Sequence, residues 1–175
     1  VQKQYVGIKR SKGSVIAGFK GGFTSTQPIG GVLFADGLIS TGETIKKADY
    51  VNLVIEAEIG FRFCTHVKEQ LENTLELQEA VCELIPALEV ADARLSNFDD
   101  IRKNFSHLRS TLIPLNILSK QFVLGAPISP TQIDLLNLEV TTSISQKRVG
   151  SQHLSEKADI WANVLWVVNN FIVKE

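Results

Sequence analysis

The chain has no methionine and only two cysteines among its 175 residues, and aromatic side chains make up 7% of it. Cys64 and Cys82 form neither a CxxC pair nor a disulfide framework, which fits a reducing, cytoplasmic setting and leaves export of a longer precursor open. A chain that starts at Val1 without any methionine reads as a processed chain or as a piece of a longer one. Charge of one sign is also missing: 18 Lys and Arg stand against 19 Asp and Glu, for a formal net charge of -1. With no basic run, neither nucleic acid nor an anionic membrane gains electrostatic support as a partner. Every apolar run is too short to span a bilayer, and none reads as a signal segment. His66, His107 and His153 are isolated, without HxH or HExxH spacing, which disfavours zinc. GxSxG, a P-loop and a strand-to-helix GxGxxG are absent as well, so serine-hydrolase and nucleotide chemistry lack their signals.

What remains is 44% hydrophobic and 21% charged, enough for one soluble globular domain over residues 1–175 with a sizeable core. Residues 1 to 12 read as a helix. More than half of the 12 glycines then fall in "GSVIAGFKGGFTSTQPIGGVLFADG", among short β-favouring runs. Such density permits tight turns and close backbone approach, as near a ligand or in a turn-rich β segment. "GETIKKADYV" is a polar turn before the strand "VIEAEIGFRF". Asn73 to Ile85 has helical spacing, with Asn73 and Glu76 as a capping box, and is expected to end at Pro86. "PALEVADAR" reads as β, with Glu89 facing away from Leu88 and Val90. "NFDDIRKNFSHLRSTLIPLNILSKQFVLG" reads as loop and short helix. Leu138 to Ile144 reads as a strand, followed by a hairpin turn at "SQKRVG" and a second strand. From about Lys157 to Val173 an apolar stripe marks a last helix with Ser155 as a candidate cap, and Trp161 and Trp166 read as its packing residues.

Alternation along "VIEAEIGFRF" puts Glu56, Glu58 and Arg62 on one face and Ala57, Ile59, Phe61 and Phe63 on the other. Two carboxylates at this spacing can converge on one ion, and Glu89 from another strand would complete an oxygen-rich site for Mg²⁺ or Mn²⁺. The competing reading is a solvated sheet face, with the glutamates paired to Arg62. Lys20 lies in the apolar, glycine-rich "GFKGGFTS", where burial would suit its amine to proton transfer; otherwise it is a surface lysine in a turn. Asp36 in "FADG" is most simply a turn-starting aspartate, and as an acid or base it would have to approach Lys20 or a substrate.

In order along the chain, "GFKGGFTS", "GVLFADG", "EAEIGFRF", "PALEVADAR", "FVLG" and "WVVNNF" resemble the 2-keto-4-pentenoate hydratase family. That family includes 2-oxo-3-hexenedioate decarboxylases and lies within the fumarylacetoacetate hydrolase superfamily. The resemblance covers most of the chain, as a single hydratase-like domain incomplete relative to the family and shortened at both ends. It implies an α+β fold, a mixed β-sandwich or roll with flanking helices. It implies Mg²⁺ or Mn²⁺ held by Glu56, Glu58 and Glu89, with Lys20 and Asp36 as proton-transfer residues. The implied activity is that of a metal-dependent lyase, hydrating a 2-hydroxypenta-2,4-dienoate-type substrate to a 4-hydroxy-2-oxo acid. Alternatives are decarboxylation of a 2-oxo-3-hexenedioate-type acid, and a shortened non-enzymatic relative acting as a binding or structural subunit. Hydrolysis of the acylpyruvate or fumarylacetoacetate type ranks last. Family likeness also implies a homo-oligomer or a complex with a related subunit. The chain departs from the family pattern where "ADN" before "FVLG" is replaced by Pro114-Leu115-Asn116, and in a shortened loop between Ser25 and Gly30.

Overall fold

Alternation, glycine and capping chemistry set the order of elements in the computed structural model, which describes residues 2–23, 28–95, 98, 110–153 and 159–173. Most of the stretch expected as loop and short helix before residue 110, with His107, lies outside these residues, as do Ser155, Lys157 and most of the loop after Ser25. The chain divides into two compact units, Val1–Glu56 with Ala87–Leu124, and Ala57–Pro86 with Gly125–Glu175.

The first unit begins with α1 (Gln2–Ser11), where Tyr5 meets the edge of Phe34 at 6.3 Å. Strands β1 (Ile16–Phe23) and β2 (Pro28–Phe34) form an antiparallel pair that sets Lys20 opposite Gly31. A short β3 (Leu38–Ile39) runs parallel to β6 (Ser119–Leu124), which is antiparallel to β5 (Val81–Asp92). With β4 (Leu53–Phe63) these form a four-stranded sheet in the order β3-β6-β5-β4. Gly37 is required at the entry to β3, because a Cβ there would lie 2.8 Å from the Lys120 carbonyl oxygen. Ile29, Leu112 and Ile117 form this unit's buried apolar cluster.

In the second unit α2 (Thr74–Ala80) starts as the sequence predicts. Asn73 Oδ1 accepts from the N–H groups of Leu75 at 2.9 Å and Glu76 at 3.1 Å, and Glu76 returns a carboxylate to the Glu72 N–H at 2.9 Å. The helix ends at Ala80, not at Pro86. Val81 to Ile85 belong to β5, whose ladder continues through Pro86. The helical spacing of Val81 and Leu84 is overridden by tertiary packing, since both enter the buried cluster with Leu77, Leu135 and Val168. The last helix, α3 (Ile160–Val167), is capped by Asp159, which accepts from the Ala162 N–H at 3.0 Å, and it widens into a π turn over Val168–Ile172. Trp161 packs edge-on against Phe61 at 5.3 Å. The hairpin β7 (Glu139–Ile144) and β8 (Lys147–His153) turns on Ser145 and Gln146 alone, both at positive φ, so the rest of "SQKRVG" is strand.

The cysteine expectation is corrected. Cys64 and Cys82 are joined in a disulfide that closes a loop of 18 residues around α2, so the cysteines do not support a reducing setting. From Glu89 to Asp92 every residue of β5 is buried, so both faces of the strand are covered there. Of membrane character the described residues show only that no helix is long and apolar enough to cross a bilayer. Reducing the Cys64–Cys82 bond should lower unfolding free energy by about 3 kcal/mol, the chain-entropy value for a loop of this length. Urea titrations with and without a thiol reductant measure this, and coincident curves would show that the bridge adds nothing.

Candidate metal centre

Glu56 and Glu58 leave β4 on the same face, as strand alternation requires, and Glu89 comes from β5. One carboxylate oxygen from each of the three lies within 4.8 Å of the others. Glu56 and Glu58 are exposed, whereas Glu89 is only 3% exposed. Arg62, the alternative partner for the paired glutamates, instead forms an ion pair with Glu83.

Lys20 reaches this cluster from β1 and forms an ion pair with Glu89 Oε2. Its ammonium also donates to the Ile117 carbonyl oxygen at 3.2 Å. Burial pushes the Glu89 carboxyl above its usual range; Lys20 opposes that shift and the Glu56 carboxylate adds to it. Glu89 Oε1 is buried without a hydrogen-bond partner among the described residues. The hard oxygen donors and the orphaned Glu89 oxygen fit Mg²⁺ or Mn²⁺.

Lys20 is held in place by a turn that sequence reasoning missed. Asn116, Ile117 and Leu118 have φ of 54°, 51° and 60°, a left-handed run that includes a β-branched residue. The Asn116 side chain, 1% exposed, copies a strand partner for β2: Oδ1 accepts from the Val32 N–H and Nδ2 donates to the Val32 carbonyl, both at 2.8 Å. Gly31 makes room for it, since a Cβ there would lie 3.1 Å from the Asn116 carbonyl oxygen and 3.3 Å from Lys20 Cγ. An asparagine set among leucine, isoleucine and proline in "IPLNIL" was the available signal, because a buried amide needs a dedicated partner. Leu115 beside it is 37% exposed.

The structure does not bring Asp36 to Lys20. Asp36 accepts from Lys9 Nζ at 2.7 Å and from the Ser14 hydroxyl at 3.1 Å, and those bonds, Lys9 foremost, hold its carboxyl below the usual range. A second unforeseen residue is Asp92, buried at the end of β5. It accepts from the N–H groups of Val51 at 2.9 Å and Asn52 at 3.1 Å and pairs with Arg94 and Lys120, each at 3.2 Å. Burial raises its carboxyl, but these donors together outweigh burial and lower it.

The chain is 28% identical over 145 residues to the 2-oxo-hept-4-ene-1,7-dioate hydratase of Escherichia coli, a match covering 77% of this chain and 54% of that protein. Among solved structures, it matches 4-oxalocrotonate decarboxylase from Pseudomonas putida G7 complexed with magnesium and adipate, with a TM-score of 0.72 and 24% identity, over 94% of this chain and 61% of that one. The same decarboxylase complexed with calcium and acetate gives a TM-score of 0.70 at 24% identity, over 94% and 60% of the two chains. No family model matches the chain. The chain thus spans about half the length of the curated relative, 54%, and about three fifths of the solved structures. Its α+β fold is that of the decarboxylase structures. In sequence it is similar to the hydratase, in keeping with the family its motifs resemble.

Asn116→Ala should cost about 2–5 kcal/mol, because it strands a buried N–H and a buried carbonyl of Val32 at once. Chemical denaturation measures this; a cost under about 0.5 kcal/mol would mean that the turn holds without its amide. For Asp92 the lowered carboxyl fixes the sign of the pH effect. Its stabilisation is complete above the unfolded value of about 3.9 and is lost as pH falls through the lower folded value. Asp92→Asn should therefore be less stable than the parent at pH 7, with the gap closing only in strong acid; a gap independent of pH would contradict the ionic account.

Proposed function

We propose that the chain carries the metal and proton-transfer centre of a divalent-metal-dependent lyase acting on small 2-oxo acids, with hydration of a 2-hydroxypenta-2,4-dienoate-type substrate as its reaction. The carrying observation is the convergence of Glu56, Glu58 and Glu89 on one point beside Lys20, with a buried glutamate oxygen left without a partner. Glu56, Glu58 and Glu89 would hold Mg²⁺ or Mn²⁺, which supplies Lewis acidity toward the oxygens of a 2-oxo acid. The Lys20 ammonium is fixed between Glu89 and the Ile117 carbonyl and moves the proton at Nζ during dienol ketonisation and water addition. Strand β4 fixes the spacing of its two carboxylates, so no loop has to order when the ion binds.

A second reading, decarboxylation of a dioic 2-oxo acid, is favoured by the structural match to a decarboxylase complexed with magnesium and adipate. The substrate would be a small anionic acid in either case. As the family resemblance implies, we assign the working form to an oligomer.

Calorimetric titration with Mg²⁺ or Mn²⁺ tests the centre. Binding should be at least about tenfold weaker in each of Glu56→Gln, Glu58→Gln and Glu89→Gln. Lys20→Met separates the roles: removing a cation that competes for Glu89 should leave metal binding equal or tighter, while consumption of the dienol falls about 10²- to 10⁴-fold. Failure of the parent chain to bind either ion would overturn the proposal, and the non-enzymatic reading would replace it.

A further inference from the structure

A second concave site lies in the first unit, apart from the carboxylate cluster in its residues and opposite to it in charge. It is a cavity of about 230 Å³ whose lining includes Lys9, Phe34, Asp36, Arg94, Ser119 and Gln121. We propose that it binds a small carboxylate, anchored by the Arg94 guanidinium.

Charge supplies the first argument. Lys9, Arg94 and Lys120 all line the cavity. Asp36 neutralises Lys9 at 2.7 Å, but the single carboxylate of Asp92 is shared between Arg94 and Lys120, both at 3.2 Å, and also serves two backbone N–H groups. Among the described lining residues and their partners one positive charge therefore remains in excess, which suits a monoanion.

Donor chemistry supplies the second. Arg94 spends Nε on Asp92, which orients the guanidinium, and its terminal nitrogens have no partner among the described residues. A guanidinium fixed at Nε presents a planar fork with the geometry of a carboxylate. Gln121 gives Oε1 to the Tyr50 hydroxyl, so its amide nitrogen is the end left for a ligand. The Ser119 hydroxyl likewise has no partner among the described residues. Phe34, braced by Tyr5 at 6.3 Å, lines the same cavity and adds apolar surface for a short carbon body. A volume of 230 Å³ falls below the usual range for drug-sized ligands of about 300–1,000 Å³, which limits the occupant to a few carbon atoms.

The proposal does not rest on the metal reading, and its test keeps the two apart. Propionate is titrated into the full chain by calorimetry in a buffer containing EDTA, so that no metal can hold the acid. One saturable site is expected, with binding about tenfold weaker in Arg94→Met and partly restored in Arg94→Lys. Glu56→Gln, which removes a candidate metal ligand, should leave propionate binding unchanged. No saturable binding by the parent chain, or equal binding by Arg94→Met, would overturn the site. Inorganic phosphate binding more tightly than propionate would overturn the choice of carboxylate. Should circular dichroism show that Arg94→Met is unfolded, Gln121→Ala decides by the same criterion, with weaker binding expected and unchanged binding counting against the site.

Discussion

The paired hydrogen bonds between the Asn116 side chain and the backbone of Val32 hold the candidate centre in place. A left-handed run at Asn116, Ile117 and Leu118 is costly for residues with a Cβ, and most of all for isoleucine. The amide offsets part of that cost by satisfying two buried backbone groups of β2. Once the turn is fixed, its Ile117 carbonyl points at the Lys20 ammonium, and Gly31 gives Asn116 and Lys20 room that a Cβ would crowd. A backbone bracket thus becomes the positioning device for an ion pair.

Glu89 and Asp92 lie three residues apart on the same buried stretch of β5 and face the same electrostatic problem with different surroundings. Asp92 is surrounded by two backbone N–H groups and two cations, enough to keep its charge against burial. Glu89 has a single cation, two acidic neighbours and an oxygen with no partner. The first arrangement is complete as it stands and reads as scaffold. The second leaves a buried acceptor open, which is how a binding centre differs from a structural ion pair.

Strand alternation made Glu56 and Glu58 legible from sequence, because two positions apart on a strand fixes the face whatever the rest of the fold does. Lys20 and Glu89 were legible as candidates, but their pairing was not, since it depends on how β1 reaches β5. Asn73 and Glu76 announced α2 correctly because capping is local; its end was misplaced because the burial of Val81 and Leu84 is not local. The disulfide escaped notice for the same reason, as an 18-residue separation is no signal until the flanking strands are placed. Asn116 and Asp92 were passed over because hydrogen-bonding partners far away in sequence give a buried polar residue its meaning.

The β7–β8 ribbon has one property set by its surroundings. All of β8 is exposed, and in β7 only Val140 is half-buried, so the strands keep their order by pairing with each other and through the Glu139 contacts to Arg148 and Ser151. A two-stranded ribbon with so little apolar cover is marginal in water. It can open and close as a small unit of its own while the buried cluster around Leu77 and Val168 stays intact. Its amide hydrogens would then trade with solvent long before those of the core, so that under stress the hairpin loses its order before the buried cluster does.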